Sequence, residues 1–172
     1  MSNSIAQSLI ADMKQEAAFS RAVLGAVPAD KLDWQPHEKS MTLGQLASHI
    51  AETPNWLGSM MDDVFDFETA MADYKPFAAA DREELLAALD ENLSNALALL
   101  EDKDDEFMTG VWRGVKGDKE LMAGPRGAMA RSILVHHVAH HRGQLTVYLR
   151  LLGVPVPPTY GQTADFPSKD WE

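Results

Sequence analysis

The chain has 172 residues, of which 45% are hydrophobic, and its formal net charge at pH 7 is −11. This length fits one domain with a sizeable core, which we expect to span residues 1–172. The acidic surface has no Lys/Arg cluster, which argues against nucleic acid and against an anionic membrane as partners. The chain has no cysteine, which excludes disulfides, thiolate metal ligands and a cysteine nucleophile.

The start of the chain does not resemble a secretory leader. Residues 1–7 lack a basic stretch followed by an apolar one, and no later segment reaches the roughly 20 apolar residues of a membrane-spanning helix. We therefore expect a cytoplasmic protein.

Four long segments have the apolar periodicity of amphipathic helices, at about residues 4–26, 42–63, 81–101 and 125–152. Thr42 and Gln45 form a capping box that starts the second segment, and Asp81 supplies a cap for the third. Pro54 should kink or split the second segment because it lacks a backbone donor. Pro125 fits the first turn of the fourth.

The connections between these segments contain little strand signal. Residues 62–77 are acidic and aromatic without periodicity, which indicates a crossover at the end of a bundle. Residues 107–124 contain spaced glycines and predict a short, hairpin-like extended insert before the last helix. The tail, residues 159–172, is expected to be an extended strap. The fold class that follows is all-α, a four-helix bundle with sites built in its core.

The final predicted helix contains four of the six histidines. At about 100° per residue, His137 and His141 share the apolar face that also contains Leu134. His136 and His140 fall on a flank roughly 100–140° from His141. The first pair is therefore predicted to point into the core, and the second to lie at or beyond its edge.

Two explanations are open for the inward pair. Each ring could be a structural histidine with its own hydrogen-bond partner, or the two rings could be metal ligands, since Cβ atoms at i and i+4 lie about 6 Å apart. His49, in the second segment, shares its face with Leu46 and Trp56. It points inward as well, and it is also open to either explanation.

Together these residues resemble the DinB/YfiT-like metalloprotein superfamily, over nearly the whole chain. The resemblance rests on His49, on the His-x-x-x-His-Arg-Gly-Gln element that begins at His137, and on the Gly153-Val154-Pro155 exit. It implies a four-helix bundle of up-down-down-up type in which His49, His137 and His141 bind a divalent ion, nickel or zinc.

The resemblance also implies a class of reaction. It favours a metal-dependent enzyme of the thiol S-transferase type, in which a low-molecular-weight thiol attacks a small electrophilic substrate. The alternatives are a metal-dependent hydrolase and a non-catalytic, metal-binding dimeric protein. A homodimer is expected by analogy with the family. An open coordination position facing a cavity would favour an enzyme, whereas a carboxylate such as Glu52 in that position would favour the non-catalytic alternative.

Two polar residues near the predicted ligands are candidates for a supporting role. Glu52 lies one turn from His49 and is the candidate catalytic residue, as a general base or as an acceptor that orients the ring, unless it is simply solvated. Gln144 lies about 60° from His141 and either hydrogen-bonds a ligand ring or satisfies a packed polar group.

Other residues near the predicted ligands have weaker expectations. Arg142 is predicted to point outward and to form an ion pair near a chain terminus or a partner subunit. Trp56 and Tyr148 share faces with the ligands and either line a pocket or pack in the core. Trp112 and Tyr160 match positions that recur in the family and are expected to close the mouth of the site.

Overall fold

The computed structural model describes residues 4–167 and is mainly helical. Its α-helices are α1 (Ile5–Leu24), α2 (Leu43–Glu52), α3 (Phe67–Met71), α4 (Arg82–Leu100), α5 (Asp105–Thr109), α6 (Arg126–Ala130) and α7 (His137–Leu151). Its strands are β1 (Val64–Asp66), β2 (Val111–Lys116) and β3 (Lys119–Pro125). A 3-10 helix, Thr53–Met60, continues α2, and a π-helical turn, Arg131–His136, joins α6 to α7.

The starts of the long helices are set by local capping. The Thr42 hydroxyl accepts from the Gln45 N–H at 3.1 Å and the Gln45 side chain accepts from the Thr42 N–H at 2.9 Å, so the predicted capping box is confirmed. Asp81 accepts from the Glu84 N–H at 2.9 Å at the start of α4. These caps satisfy backbone donors that the first helical turn leaves without partners.

The first and last long helices run parallel. Ser8 near the start of α1 accepts from Arg131, in the π-helical turn before α7, at 3.2 Å. Glu16, about two turns later in α1, pairs with Arg142 of α7 at 2.6 Å. Because both contacts advance along the two helices in the same direction, α1 and the α6–α7 rod point the same way.

The two middle helices point the opposite way. Arg82 at the start of α4 donates to the Gly25 carbonyl at the end of α1, and Arg21, one turn earlier in α1, forms an ion pair with Asp90, two turns later in α4, so these two helices are antiparallel. The Tyr148 hydroxyl near the end of α7 donates to the Met41 carbonyl just before α2 at 3.3 Å, and Trp56 after α2 contacts His137 at the start of α7. The order of directions is therefore up-down-down-up, and the four-helix bundle is confirmed.

Because α2 and α4 are parallel, residues 61–81 must carry the chain back along the bundle. This crossover is not irregular throughout, since it contains β1 and α3. β1 pairs in parallel with β2, and β2 pairs antiparallel with β3 across a two-residue turn that contains Gly117 at φ +55°. The predicted hairpin before the last helix is confirmed, and β1 extends it to a three-stranded sheet.

Two of the predicted helices are interrupted. The second changes from α to 3-10 geometry after Glu52, next to Pro54, which has no backbone N–H to donate. The fourth contains the π-helical turn at 131–136, where we expected continuous α-helix. π-Helical turns inside α-helices are rare overall, and those that occur are often found at functional sites.

The core consists of two apolar clusters at the two ends of the bundle. One is centred on residues such as Leu24, Leu43 and Leu149, and the other on residues such as Leu9 and Leu134. None of the helices in the described part of the chain is long and apolar enough to span a bilayer. The predicted tail is described up to residue 167, where it turns back on itself at 163–166, and residues 168–172 lie outside the described part.

Candidate metal centre

The three predicted histidine ligands meet at one point inside the bundle. The Nε2 atoms of His49 and His137 lie 2.9 Å apart. The ring centroid of His141 lies 4.5 Å from that of His49 and 4.4 Å from that of His137. One nitrogen from each of the three rings lies within 4.8 Å of the other two. His137 and His141 follow His49 by 88 and 92 positions in the sequence. The packing of α2 against α7 brings the three residues together.

The local helical geometry explains which histidines point inward. His137 is the first residue of α7 and His141 follows one turn later on the same face. His49 lies in the last turn of α2. His136 and His140 are exposed, as their flank position predicted, although the His140 ring still contacts that of His141 at 5.0 Å between centroids.

The environment favours neutral imidazoles in the last helix. Burial, followed by the nearby His141, His49 and His140 rings, lowers the pKa of His137 to about 4. Burial also lowers the pKa of His141, against an opposing hydrogen bond with Gln144. A metal ion binds the neutral form of imidazole, so these shifts reduce the competition from protons at neutral pH.

The donor set fits a divalent cation. Neutral imidazole has one N–H donor and one acceptor nitrogen, and here the Nε2 atoms of two rings face each other at 2.9 Å beside a third ring. A tetrahedral ion with bonds of about 2.0–2.1 Å needs nitrogens roughly 3.3 Å apart, compared with 2.9 Å between the His49 and His137 nitrogens and an upper bound of 4.8 Å for the three together. Among the described residues, no carboxylate joins the group. Three histidines leave such an ion with a free coordination position, as in catalytic sites.

Glu52 supports the site from beside His49. One Glu52 oxygen lies 3.7 Å from Nδ1 of His49 and accepts from the Tyr74 hydroxyl at 2.7 Å, while the other accepts from the Phe77 N–H at 3.1 Å. Burial alone would raise the pKa of Glu52, but the contacts with His49, Tyr74 and Phe77 outweigh it and lower that pKa. Glu52 is therefore a buried carboxylate beside the ring nitrogen that faces away from the centre.

Gln144 contacts the third ligand. Its Oε1 lies 2.8 Å from Nδ1 of His141. An acceptor at Nδ1 keeps the proton on that nitrogen and leaves the lone pair on Nε2. This is the hydrogen bond to a ligand ring that we considered from the sequence.

The histidines stand at the wall of a cleft of about 1070 Å³. His49, His137 and Glu52 line it, together with Trp56 and Trp112. The Trp112 indole N–H donates to the Ser59 carbonyl at 3.1 Å, which fixes the ring. Trp112 and Trp56 therefore border the site. An ion held by the histidines would therefore lie beside this solvent-connected cleft.

Arg142 does not point outward, and that prediction is wrong. Its side chain is 2% exposed and pairs with Glu16 at 2.6 Å while donating to Ser20 at 3.1 Å. The Tyr160 hydroxyl donates to the other Glu16 oxygen at 2.6 Å, and Arg142 lies over the Tyr160 ring. The reason is that α1 covers this side of α7, so that α7 is buried on two faces.

Two aromatic residues have structural contacts away from the site. Tyr160 packs edge-on against Phe19 and is not among the residues that line the cleft, contrary to its predicted place at the mouth. Tyr148 packs against Trp34 and hydrogen-bonds Met41, which is the core-packing alternative.

Sequence reasoning missed the contribution of the crossover. Residues 65–78 supply much of the cleft wall, including Phe67, Met71, Tyr74 and Phe77. Tyr74 and Phe77 also hold Glu52 in place. The sequence did contain a signal, because this connector has many large apolar side chains but no helical periodicity. A loop that is fully solvated does not need such side chains.

Comparisons with known proteins agree with this fold. A DinB-like protein from Bacillus cereus shares 21% identity and a TM-score of 0.70, covering 93% of this chain and 100% of its own. The DinB-like protein YjoA from Bacillus subtilis shares 17% identity and a TM-score of 0.67, covering 91% and 99%. No curated protein matches the chain.

A third solved structure is YfiT from Bacillus subtilis, described as a probable metal-dependent hydrolase with an unusual four-helix bundle topology. It shares 20% identity and a TM-score of 0.61, covering 86% of this chain and 87% of its own. The family model described as DinB family matches residues 1–170 of this sequence. The chain, with three histidines positioned for a metal ion, therefore belongs to the DinB family.

Proposed function

We propose that this protein is a divalent-metal-dependent enzyme that activates a nucleophile for attack on a small electrophilic substrate. The single observation that carries the proposal is the convergence of three imidazole nitrogens within 4.8 Å of one another, at the wall of a large cleft. A closed structural site would have four protein ligands, whereas three histidines are typical of catalytic sites. Imidazole donors suit zinc and nickel, which we propose as the metal.

Each part of the site has its own task in this proposal. His49, His137 and His141 hold the ion, and Glu52 and Gln144 orient two of these rings through their outer nitrogens. When bound, the ion supplies a positive charge that lowers the pKa of a water or thiol toward neutrality. The cleft binds the substrate beside the ligands.

Two nucleophiles are compatible with this arrangement. The resemblance of the sequence favours a low-molecular-weight thiol, whose sulfur would form a bond to the electrophilic carbon as a leaving group departs with the bonding electrons. The description of YfiT as a probable metal-dependent hydrolase supports water as the nucleophile instead. We place thiol S-transfer first and hydrolysis second.

The test begins with protein purified without an affinity tag, because a tag would bring its own histidines. Metal analysis is followed by assays of thiol conjugation to small electrophiles and of ester hydrolysis, with zinc-loaded, nickel-loaded and chelator-treated protein. We expect about one ion per chain and an activity that chelator removes and metal restores. One bound ion with no turnover of either substrate class would instead support the non-catalytic, metal-binding alternative.

The control is His137→Ala, which should lose metal and activity together. Activity that persists in His137→Ala would contradict the proposal. The homodimer expected from the family stays a prediction, which light scattering coupled to size-exclusion chromatography checks.

A further inference from the structure

The cleft beside the histidines has an unusual lining for a protein with so acidic a surface. Six aromatic side chains of the described residues line it, out of six Phe, four Trp and three Tyr in the chain. Three methionines join them, and methionine is a flexible residue that adapts to varied apolar partners. The cleft, at about 1070 Å³, is slightly larger than the range of roughly 300–1,000 Å³ seen for small-molecule sites.

Several of these apolar residues are exposed to solvent. Met41, Met71, Tyr74 and Met122 are between 38% and 48% exposed, and all four line the cleft. Large apolar side chains that cluster at an exposed surface commonly mark a binding site. Because this cluster is continuous with the histidines, a ligand that covers it also reaches the proposed metal.

Several polar groups of the lining are already hydrogen-bonded within the protein. The Glu52 oxygens accept from Tyr74 and from the Phe77 N–H, the Trp112 N–H donates to a backbone carbonyl, and Gln45 accepts from a backbone N–H in its capping box. The walls therefore offer ligands mainly apolar and aromatic surface. Such surface binds by area and ring contact more than by hydrogen bonding.

The cleft lining contains an acidic side chain but no lysine or arginine among the described residues. The acidic side chain is that of Glu52. An anionic group placed along these walls would lose its hydration without gaining a counter-charge, which is costly. In the proposed enzyme the positive charge beside the described lining would be that of the ion held by the histidines.

From these observations we propose that the substrate is an uncharged molecule with an aromatic or branched aliphatic body, whose electrophilic group lies beside the histidines. This proposal rests on the proposed function, and it holds for either nucleophile. It predicts that substrates carrying a carboxylate, sulfonate or phosphate on the body are excluded.

The test compares two probes of matched shape that are both weak metal ligands: neutral naphthalene-2-carboxamide and anionic naphthalene-2-sulfonate. The full chain, both zinc-loaded and chelator-stripped, is titrated with each by isothermal titration calorimetry. We expect the carboxamide to bind at least about tenfold more tightly than the sulfonate in both forms, because the charge would be buried without a partner. Equal affinities, or no binding of the carboxamide, would overturn the proposal.

A matched pair of variants places the binding event in the cleft. Met122 lines the cleft, whereas its neighbour Leu121, which is 45% exposed, does not. Met122→Lys places a cation in the cleft and should reduce or reverse the preference for the carboxamide over the sulfonate. Leu121→Lys should leave that preference unchanged. The same change in both variants would overturn the proposal, because the effect would then come from the charge of the surface in general.

The outcome separates this inference from the proposed function. Zinc binding is measured on the same protein by competition with a chromophoric chelator. Tight zinc binding with equal affinity for the two probes would overturn the substrate class alone. A preference for the carboxamide in a protein that binds no zinc would overturn the proposed function, and with it the claim that the bound molecule is a substrate.

Discussion

Two polar clusters include neighbouring residues of α7, Arg142 and His141. They differ in whether the protein itself supplies a counter-charge. Arg142 forms a closed cluster with Glu16, Ser20 and Tyr160, in which a buried cation already has its carboxylate and hydroxyl partners. His141, one residue earlier, belongs to a cluster of three imidazoles that have no acidic member among the described residues. The first cluster contains its own counter-charge, whereas the second brings three imidazole nitrogens together with no carboxylate among them, an arrangement that fits a cation.

The difference between the two clusters helps to distinguish a structural from a functional role for a buried polar group. A cluster with matched donors, acceptors and charges is sufficiently explained by packing and fold specificity. A cluster of like groups beside a cleft has no such internal match of charges and can bind a partner from outside the chain. On this basis we propose that the Arg142 cluster is structural and that the histidine cluster is functional, a division that the effects of substitutions can test.

The largest effect is expected from opening the arginine cluster. Glu16→Ala leaves the Arg142 guanidinium buried without its carboxylate, which should lower the free energy of unfolding by about 3–5 kcal/mol. Urea denaturation measures this change. The control is Asp90→Ala, which removes an exposed ion pair with Arg21 and should cost less than about 1 kcal/mol. Equal losses of unfolding free energy in the two variants would show that the buried Glu16–Arg142 pair stabilises the fold no more than the exposed Arg21–Asp90 pair.

The next effect concerns the histidine cluster and should appear in metal affinity. Removal of a group that merely orients a ligand typically costs 10–100-fold, so His49→Ala should weaken zinc binding by more than about 100-fold. Competition with a chromophoric chelator measures it, and circular dichroism checks the fold. The matched control is the double variant His136→Ala/His140→Ala on the exposed flank, which should keep its affinity. A comparable loss in the double variant would place the ion elsewhere.

A smaller effect is expected from Glu52. Glu52→Gln keeps the shape of the side chain but removes the charge beside His49, and metal affinity should fall about 10–100-fold. Tyr74→Phe, which removes one donor to Glu52, should have a weaker effect of the same sign. If Glu52→Gln abolished turnover while metal affinity stayed unchanged, Glu52 would be a general base and not an orienting residue.

The smallest effect is expected at Gln144, because its hydrogen bond to His141 is exposed to solvent. Gln144→Ala should weaken zinc binding by no more than about tenfold, in line with the net contribution of one hydrogen bond. Gln144→Glu retains an acceptor at the same position and should retain the affinity. A loss in Gln144→Ala larger than that in Glu52→Gln would reverse the ranking of the two supporting residues.

The sequence predicted well what depends on local periodicity and capping. The helical period separated His137 and His141 from His136 and His140, and the capping box at Thr42 marked the start of α2. Both depend on residues within one or two turns of each other. Through the family resemblance, the sequence also predicted the up-down-down-up directions, which no local pattern contains.

The remaining features depend on contacts between distant segments. The parallel pairing of β1 with β2 joins residues about 50 positions apart, and three residues of strand give no clear periodic signal. The burial of Arg142 was missed because its side of α7 carries small and polar residues such as Gly143 and Thr146. That pattern indicates solvent unless one knows that α1 packs there.

The most direct test of the central claim is the X-ray absorption spectrum of the zinc-loaded, tag-free protein at neutral pH. The fine structure reports the type and number of atoms bound to the ion. We expect three imidazole nitrogens from His49, His137 and His141, with one or two further light atoms from solvent, and the loss of one imidazole contribution in His49→Ala. A coordination sphere dominated by carboxylate oxygens, or one that His49→Ala leaves unchanged, would contradict the account.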